Sequence, residues 1–489
     1  MDTTNATTSA ASLPDSLVDP LPPPAAKAAK NGAYNYVQVI TGVATLGALA
    51  FGYDTGVIAG ALPYMSRAAT QGGLGLTPLT EGAITAALIF GAALGSFIGG
   101  RLSDRYGRRA AILILALVFF TGALGTAGAP DIALMAATRF FLGMGVGGAS
   151  AVVPVFIAEI APPNRRARLV TRSELMIVTG QMLAYVCSAV LAHVLHDPAV
   201  WRVMLAVAAV PALLLWLGMV FMPESPRWLA LHNREDEARA VMARIRQDPA
   251  QRERELAGMM AATSDVSEAT GLSELRTPWI RNLMLIGIGL GFVAQFTGVN
   301  AFMYFTPIIL QSTGMGTEAA LTGTIGNGVI AVLSTLLGIW LITRNNRRAL
   351  LMTGLVGAIL CLMGLGAVLQ LMPDGTGRSY IALAIIFAFM FFQQGMISTI
   401  YWLLMSELFP QRMRGVVTGL VVAVMWMFNA AVAFLFPILL DWLGGETFFL
   451  LAALNVASLA FVWHFVPETR GKSLETLEQH LEARLSPAE

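Results

Sequence analysis

Asp54, Arg139 and Glu174 stand inside stretches of sequence that are otherwise apolar. A charged side chain within a membrane-spanning helix costs at least about 2.5–3.5 kcal/mol on insertion scales, so each of the three demands a partner or a purpose. Asp54 follows Phe51-Gly52-Tyr53, well inside its apolar stretch, and Arg139 is the only cation embedded in any of them. The proton affinity of a buried carboxylate depends on whether a cation stands beside it. An Asp54–Arg139 pair that opens and closes would therefore bind a proton in one conformation and release it in another. The same pair held permanently closed would do no more than lock two helices together. Glu174 offers a carboxylate that accepts hydrogen bonds from several hydroxyls or titrates as a second proton group; pairing with Arg172 is the plain structural alternative.

These residues need elements that hold them in a bilayer, and the composition supplies them. Of 489 residues, 56% are hydrophobic and only 12% charged, against about 25% charged in ordinary soluble proteins, which excludes a soluble enzyme. Apolar stretches bounded by Pro and Gly recur, each long enough to cross a hydrocarbon core about 30 Å thick. They predict twelve helices near 36–64, 80–101, 109–129, 131–161, 171–196 and 201–222, then 279–311, 319–342, 347–372, 380–405, 414–441 and 446–466. The predicted organisation is a disordered cytoplasmic tail over 1–33, a six-helix bundle over 34–222 and a helical linker over 223–278. A second six-helix bundle over 279–466 and a cytoplasmic tail over 467–489 complete it.

Lys and Arg collect on the cytoplasmic side of membrane proteins. Of the 31 basic residues, 27 fall on the side that holds both tails and the 223–278 loop, while only Arg67, Arg202 and Arg378 fall opposite. Both termini are therefore expected inside, in a multi-pass membrane protein. The halves also echo each other. Pro223-Glu224-Ser225-Pro226-Arg227 recurs as Pro467-Glu468-Thr469-Arg470, Ala158 to Pro162 as Ser406 to Pro410, and Gly99 to Arg109 as Gly338 to Arg348. Two related bundles with a site between them near the bilayer midplane is transporter architecture.

Other signals carry less. A net charge of +1 argues against a nucleic-acid partner. Cys187 and Cys361 lie in apolar stretches, and His193, His196, His232, His464 and His480 show no ligand spacing, so no metal or cofactor is expected. Gly143 to Gly148 follows no strand and reads as close helix packing rather than a nucleotide loop.

The motifs Arg101 to Arg109 (RLSDRYGRR), Pro154 to Pro162, Pro223 to Leu229 (PESPRWL), Gln295 to Pro307 (QFTGVNAFMYFTP) and Pro467 to Leu474 together resemble those of the sugar porters of the major facilitator superfamily. The likeness runs from about residue 36 to 475. Glu174 to Gln181 and Gly326-Asn327-Gly328 are most similar to bacterial myo-inositol and related polyol or sugar proton symporters. The resemblance implies an all-α membrane protein of twelve helices in two pseudo-symmetric bundles. It also implies a proton site at Asp54 with Arg139 as its partner, because proton-coupled members resemble this chain there, whereas uniporters usually carry a neutral residue.

A polyol needs donors and acceptors together with aromatic faces, hence amides and rings. The resemblance places Gln295, Asn300, Gln394, Trp402, Trp426 and Asn429 at sugar-touching positions, with Phe51, Glu174 and Gln181 from the first half and Asn327 one turn before Ala331. Gln295 and Asn300 are five residues apart, a rotation of about 140° on an unbroken helix, so aiming both at one point requires a bend, for which Gly298 is placed. Ala294, Ala331 and Met425 depart from the family pattern, which weakens a hexose or xylose assignment and leaves inositol favoured. Tyr304 and Phe305 are candidate outer-gate aromatics, with plain packing as the alternative.

Glu159 and Glu407 end two helices beside Arg165-Arg166-Arg168 and Arg412-Arg414. They are expected to face the arginines of the loop after the second helix, with Asp104, Arg105 and Arg109 as gating candidates there, forming ion pairs that hold the cytoplasmic ends together when the site faces outward and break when it opens inward; the alternative is passive charge compensation at helix ends. The resulting expectation is a monomeric proton-coupled importer of a neutral polyol or monosaccharide, working by alternating access without covalent chemistry. A passive facilitator, a drug antiporter and a non-transporting sugar sensor are the rivals.

Overall fold

The computed structural model describes residues 24–162, 166–265, 277–409 and 414–470. Among them, twelve helices are long and apolar enough to span a membrane. Spans 1 to 6 are Asn35–Met65, Pro78–Tyr106, Arg108–Gly128, Ile132–Ile160, Arg172–Leu195 and Val200–Val220. Spans 7 to 12 are Pro278–Gln311, Thr317–Arg344, Arg347–Leu371, Thr376–Met405, Val417–Leu443 and Glu446–Phe465. The helix of span 1 begins at Pro24, so part of the tail expected to be disordered is helical. The Ala-Ala-Lys repeat there is strongly helix-forming and Pro suits a first turn. Residues 1–23 and 471–489 lie outside the described residues.

Between spans 6 and 7 run three short helices, Pro226–Leu231, Glu235–Ile245 and Pro249–Asp265. They pack on the end of span 4, where the buried Arg246 donates to the carbonyls of Ile160 and Ala161 at 3.1 Å each and pairs with Glu255 at 2.9 Å. A helix C-terminus leaves carbonyls without intrahelical donors, and a guanidinium satisfies them.

Small residues set how closely the helices approach. A Cβ on Gly91, Gly95 or Gly143 would lie within about 2.2 Å of a backbone atom of the facing span, so spans 2 and 4 touch main chain to main chain. The two bundles meet the same way on the side far from the linker. A Cβ on Gly82 of span 2 would fall 2.3 Å from the Phe434 carbonyl of span 11, and one on Gly328 of span 8 would fall 2.8 Å from Met182 Cα of span 5. These two crossings hold the bundles together on the far side.

Two spans are irregular where the second half approaches the centre. Span 7 breaks at Gly298, whose φ of 91° separates Pro278–Phe296 from Val299–Gln311. Span 10 widens into a π-helical segment over Gln393–Ser398, a distortion frequent at functional sites.

Candidate transport site

At the centre of the first bundle, Arg139 Nη1 of span 4 donates to Asp54 Oδ1 of span 1 at 3.1 Å, and both side chains are 1% exposed. The contact is single rather than a bidentate fork: Asp54 Oδ2 and Arg139 Nε have no partner. One hydrogen bond holds two fully dehydrated charges, so the pair is costly to maintain and sensitive to any displacement of either helix.

Gln181 of span 5 connects this pair to the second bundle. Its Nε2 lies 3.1 Å from the hydroxyl of Thr55, the neighbour of Asp54, and 3.3 Å from Met303 Sδ of span 7. Tyr185, one turn further, donates to the Met303 carbonyl at 3.1 Å. Tyr304 and Phe305, next along span 7, are buried, and Tyr304 lies beside Asn429 and within electrostatic reach of Arg139 and Asp54.

The break at Gly298 resolves the angular mismatch in span 7. Asn300 Nδ2 donates to Gln295 Oε1 at 2.5 Å, which brings the two amides together. Asn327 donates to the Thr306 hydroxyl at 3.1 Å and leaves its Oδ1 without a partner, as does the buried Asn429. Gln394 is buried within the π-helical segment. Phe51 reaches across from span 1 to Trp426 of span 11, ring centroids 6.1 Å apart. Trp402 stands apart from this group: it is 43% exposed, near the linker-side end of span 10.

Glu174 is half-buried and forms no ion pair among the described residues, while Arg172, its plain structural partner in the sequence, bonds Gln38 instead. Glu174 precedes Gln181 by seven residues, two turns or about 10 Å, and so shares the face of span 5 that Gln181 presents to the central cleft.

The charged ends of the spans are arranged otherwise than expected. Glu159 is held by Arg108, through contacts of 3.0 and 3.1 Å, and by the Ser225 hydroxyl at 2.5 Å; Arg105 and Arg109 are not its partners. Gly107, with φ of 102°, turns the chain between spans 2 and 3 so that Arg108 faces inward. Arg105 stays over the Tyr106 ring, Asp104 pairs with Arg108 at 3.1 Å, and Arg109 caps the Met219 and Val220 carbonyls at the end of span 6. In the second bundle Glu407 takes Arg347 at 2.9 Å and the Thr469 hydroxyl at 2.7 Å. The side chains of Arg166 and Arg414 lie outside the described residues.

Sequence reading thus missed Arg108, Arg347, Ser225 and Thr469. The internal repeat carried the signal, since Arg108 and Arg347 occupy equivalent places in the Gly99-to-Arg109 and Gly338-to-Arg348 echo.

Two six-helix bundles that gather amides, rings and one buried ion pair at the centre define a membrane transporter of the major facilitator fold. The family model described as "Sugar (and other) transporter" matches residues 40–481. The chain is 46% identical to the major myo-inositol transporter IolT of Bacillus subtilis (strain 168), over 92% of this chain and 95% of that one. It is 32% identical to the galactose-proton symporter of Escherichia coli (strain K12), over 90% and 93%. The solved inward-open conformation of the xylose transporter XylE from E. coli superposes with a TM-score of 0.78 at 28% identity, covering 91% of this chain and 99% of that one. The chain belongs to the sugar porter family of the major facilitator superfamily: it is a multi-pass membrane transport protein and not an enzyme.

Proposed function

We propose that this protein imports a neutral polyol or monosaccharide, myo-inositol before hexoses and pentoses, by proton-coupled alternating access. The linker side is read as cytoplasmic, from the distribution of Lys and Arg. The observation that carries the coupling is the single-point Asp54–Arg139 contact in a fully buried setting. Protonating Asp54 removes one charge of the pair, frees Arg139 and lowers the cost of moving span 1 against span 4. Gln181 ties that turn to the ligand, because it touches Thr55 on one side and Met303 on the other. Substrate drawn to Gln181 and the amides of spans 7, 8, 10 and 11 therefore acts on the same helix turn as the proton. Coupling requires that both ligands favour the same transition.

The amides Gln295, Asn300, Asn327, Gln394 and Asn429 present donors and acceptors, Phe51 and Trp426 present rings while Trp402 lies outside the site, and Glu174 adds an acceptor on the path toward the cytoplasm. Similarity to a myo-inositol transporter over nearly the whole chain supports the polyol reading. The arginine–glutamate clusters at the cytoplasmic ends lie within one bundle each, so they brace that bundle with the site open inward instead of breaking as the sequence led us to expect.

The test is uptake of labelled myo-inositol, glucose and xylose into proteoliposomes with and without a pH gradient. Accumulation following the gradient is expected, strongest for inositol. Asp54→Asn should abolish accumulation and spare counterflow exchange; equal loss of both would make the pair structural, and equilibration alone in the unmutated protein would make it a passive facilitator.

A further inference from the structure

On the side opposite the linker, a cavity of about 630 Å3 lies between the bundles and shares no residue with the site described above. Tyr64, Arg67, His196 and Asp197 line it from the first bundle, Thr317 and Glu318 from the second. The Tyr64 ring is overlaid by the Arg67 guanidinium, 4.5 Å from centroid to Cζ. No ion pair among the described residues engages Arg67. Glu318, at the start of span 8, reaches toward the first bundle and meets His193 of span 5 at 4.0 Å, too long for a hydrogen bond. His196 holds φ at 45°, a conformation uncommon outside glycine, at the turn that brings its ring to the cavity wall.

A tyrosine hydroxyl, a guanidinium, an imidazole and two carboxylates around a space this size supply the donors and acceptors that a polyol requires. The two walls meet only while the far side is shut. A ligand touching both walls binds that state more tightly than any in which they part, and so shifts the equilibrium toward it.

We propose that this cavity is a second, outward-facing polyol site whose occupation holds the outer side closed, so that external substrate at high concentration slows its own import. The inference rests on the polyol-import reading and its orientation. External ligand fills the central site when the outer side is open and this cavity when it is closed; the second event delays return to the loading conformation.

The experiment measures the initial rate of gradient-driven myo-inositol uptake into proteoliposomes of the full chain over four decades of external inositol. The rate should rise, pass a maximum and fall by about fivefold. Arg67→Ala and Glu318→Gln should each remove the falling limb while leaving the rate at low inositol unchanged, which also certifies their fold; two variants guard against a defect in one. A wild-type rate that saturates without falling, or a falling limb that both variants retain, overturns the second site and leaves the import reading intact. No gradient-driven uptake of any polyol or sugar by the wild-type protein overturns the import reading instead, and this inference with it.

Discussion

The two bundles resemble each other at their linker-side ends and differ in their interiors. Glu224 accepts the backbone N–H of Arg109 and Glu468 those of Arg347 and Arg348, at 3.0–3.2 Å. Arg108 and Ser225 hold Glu159 as Arg347 and Thr469 hold Glu407. Inside, the first bundle keeps its paired charge on two unbroken helices, spans 1 and 4, while the second carries neutral amides on spans 7, 8, 10 and 11, of which spans 7 and 10 are distorted. A buried charge pair tolerates little displacement before desolvation outweighs attraction, so straight, tightly packed helices suit it. Two amides on one helix that must converge on a ligand, as Gln295 and Asn300 do, need a break between them to aim both. The repeat thus conserves the braces and divides the interior between charge and ligand.

The sharpest test of that division is to remove the charge in two ways. Arg139→Leu alone leaves Asp54 buried without its cation and should cost about 3–5 kcal/mol, seen as a large fall in thermal unfolding temperature in detergent together with lost accumulation. Asp54→Asn combined with Arg139→Leu should regain most of the unfolding temperature and none of the accumulation. If the double variant is no more stable than the single, the pair is not the isolated charge system described here.

Closure of the far side should be equally sensitive in both bundles. Gly82→Leu and Gly328→Leu each drive a side chain into facing backbone, and should cut uptake at least about tenfold while leaving the far-side cleft accessible to a cysteine-directed probe, because well-packed interfaces have no room to yield. Unequal effects would show that one crossing bears the closure.

The distorted half should respond through ligand affinity. Gly298→Ala places a Cβ at positive φ, 3.1 Å from Leu451, at a cost of about 1–2 kcal/mol. Inositol affinity is expected to fall several-fold by competition, with exchange at saturation nearly unchanged. A loss of saturating exchange without a change in affinity would place the break in the conformational step.

The smallest effect concerns the linker. Arg246→Ala leaves the carbonyls of Ile160 and Ala161 unsatisfied, worth about 1–3 kcal/mol. Faster hydrogen exchange is expected over Glu235–Asp265 and the end of span 4, with spans 7 to 12 unaffected. Exchange spreading into the second bundle would show that the linker braces both.

Much of this was legible in the residues. All twelve spans were, within a few positions, because crossing a bilayer imposes length and apolarity on every segment. The break in span 7 was legible too, from the rotation that separates Gln295 and Asn300 and the glycine between them. Arginine choice at the cytoplasmic ends was not. Arg105, Arg108 and Arg109 are chemically alike, and only the turn at Gly107 decides which one meets Glu159.

By itself the sequence determined the bilayer as solvent, the two-fold repeat, and the presence of an acid and a base where charge is costly, since each follows from composition and period alone. The tertiary structure decided the partners. That Asp54 and Arg139 touch at one point, that Gln181 lies between Thr55 and Met303, and that Arg172 bonds Gln38 rather than Glu174 are facts of distance between helices. Distances set by packing across a bundle have no period in the chain from which to be read.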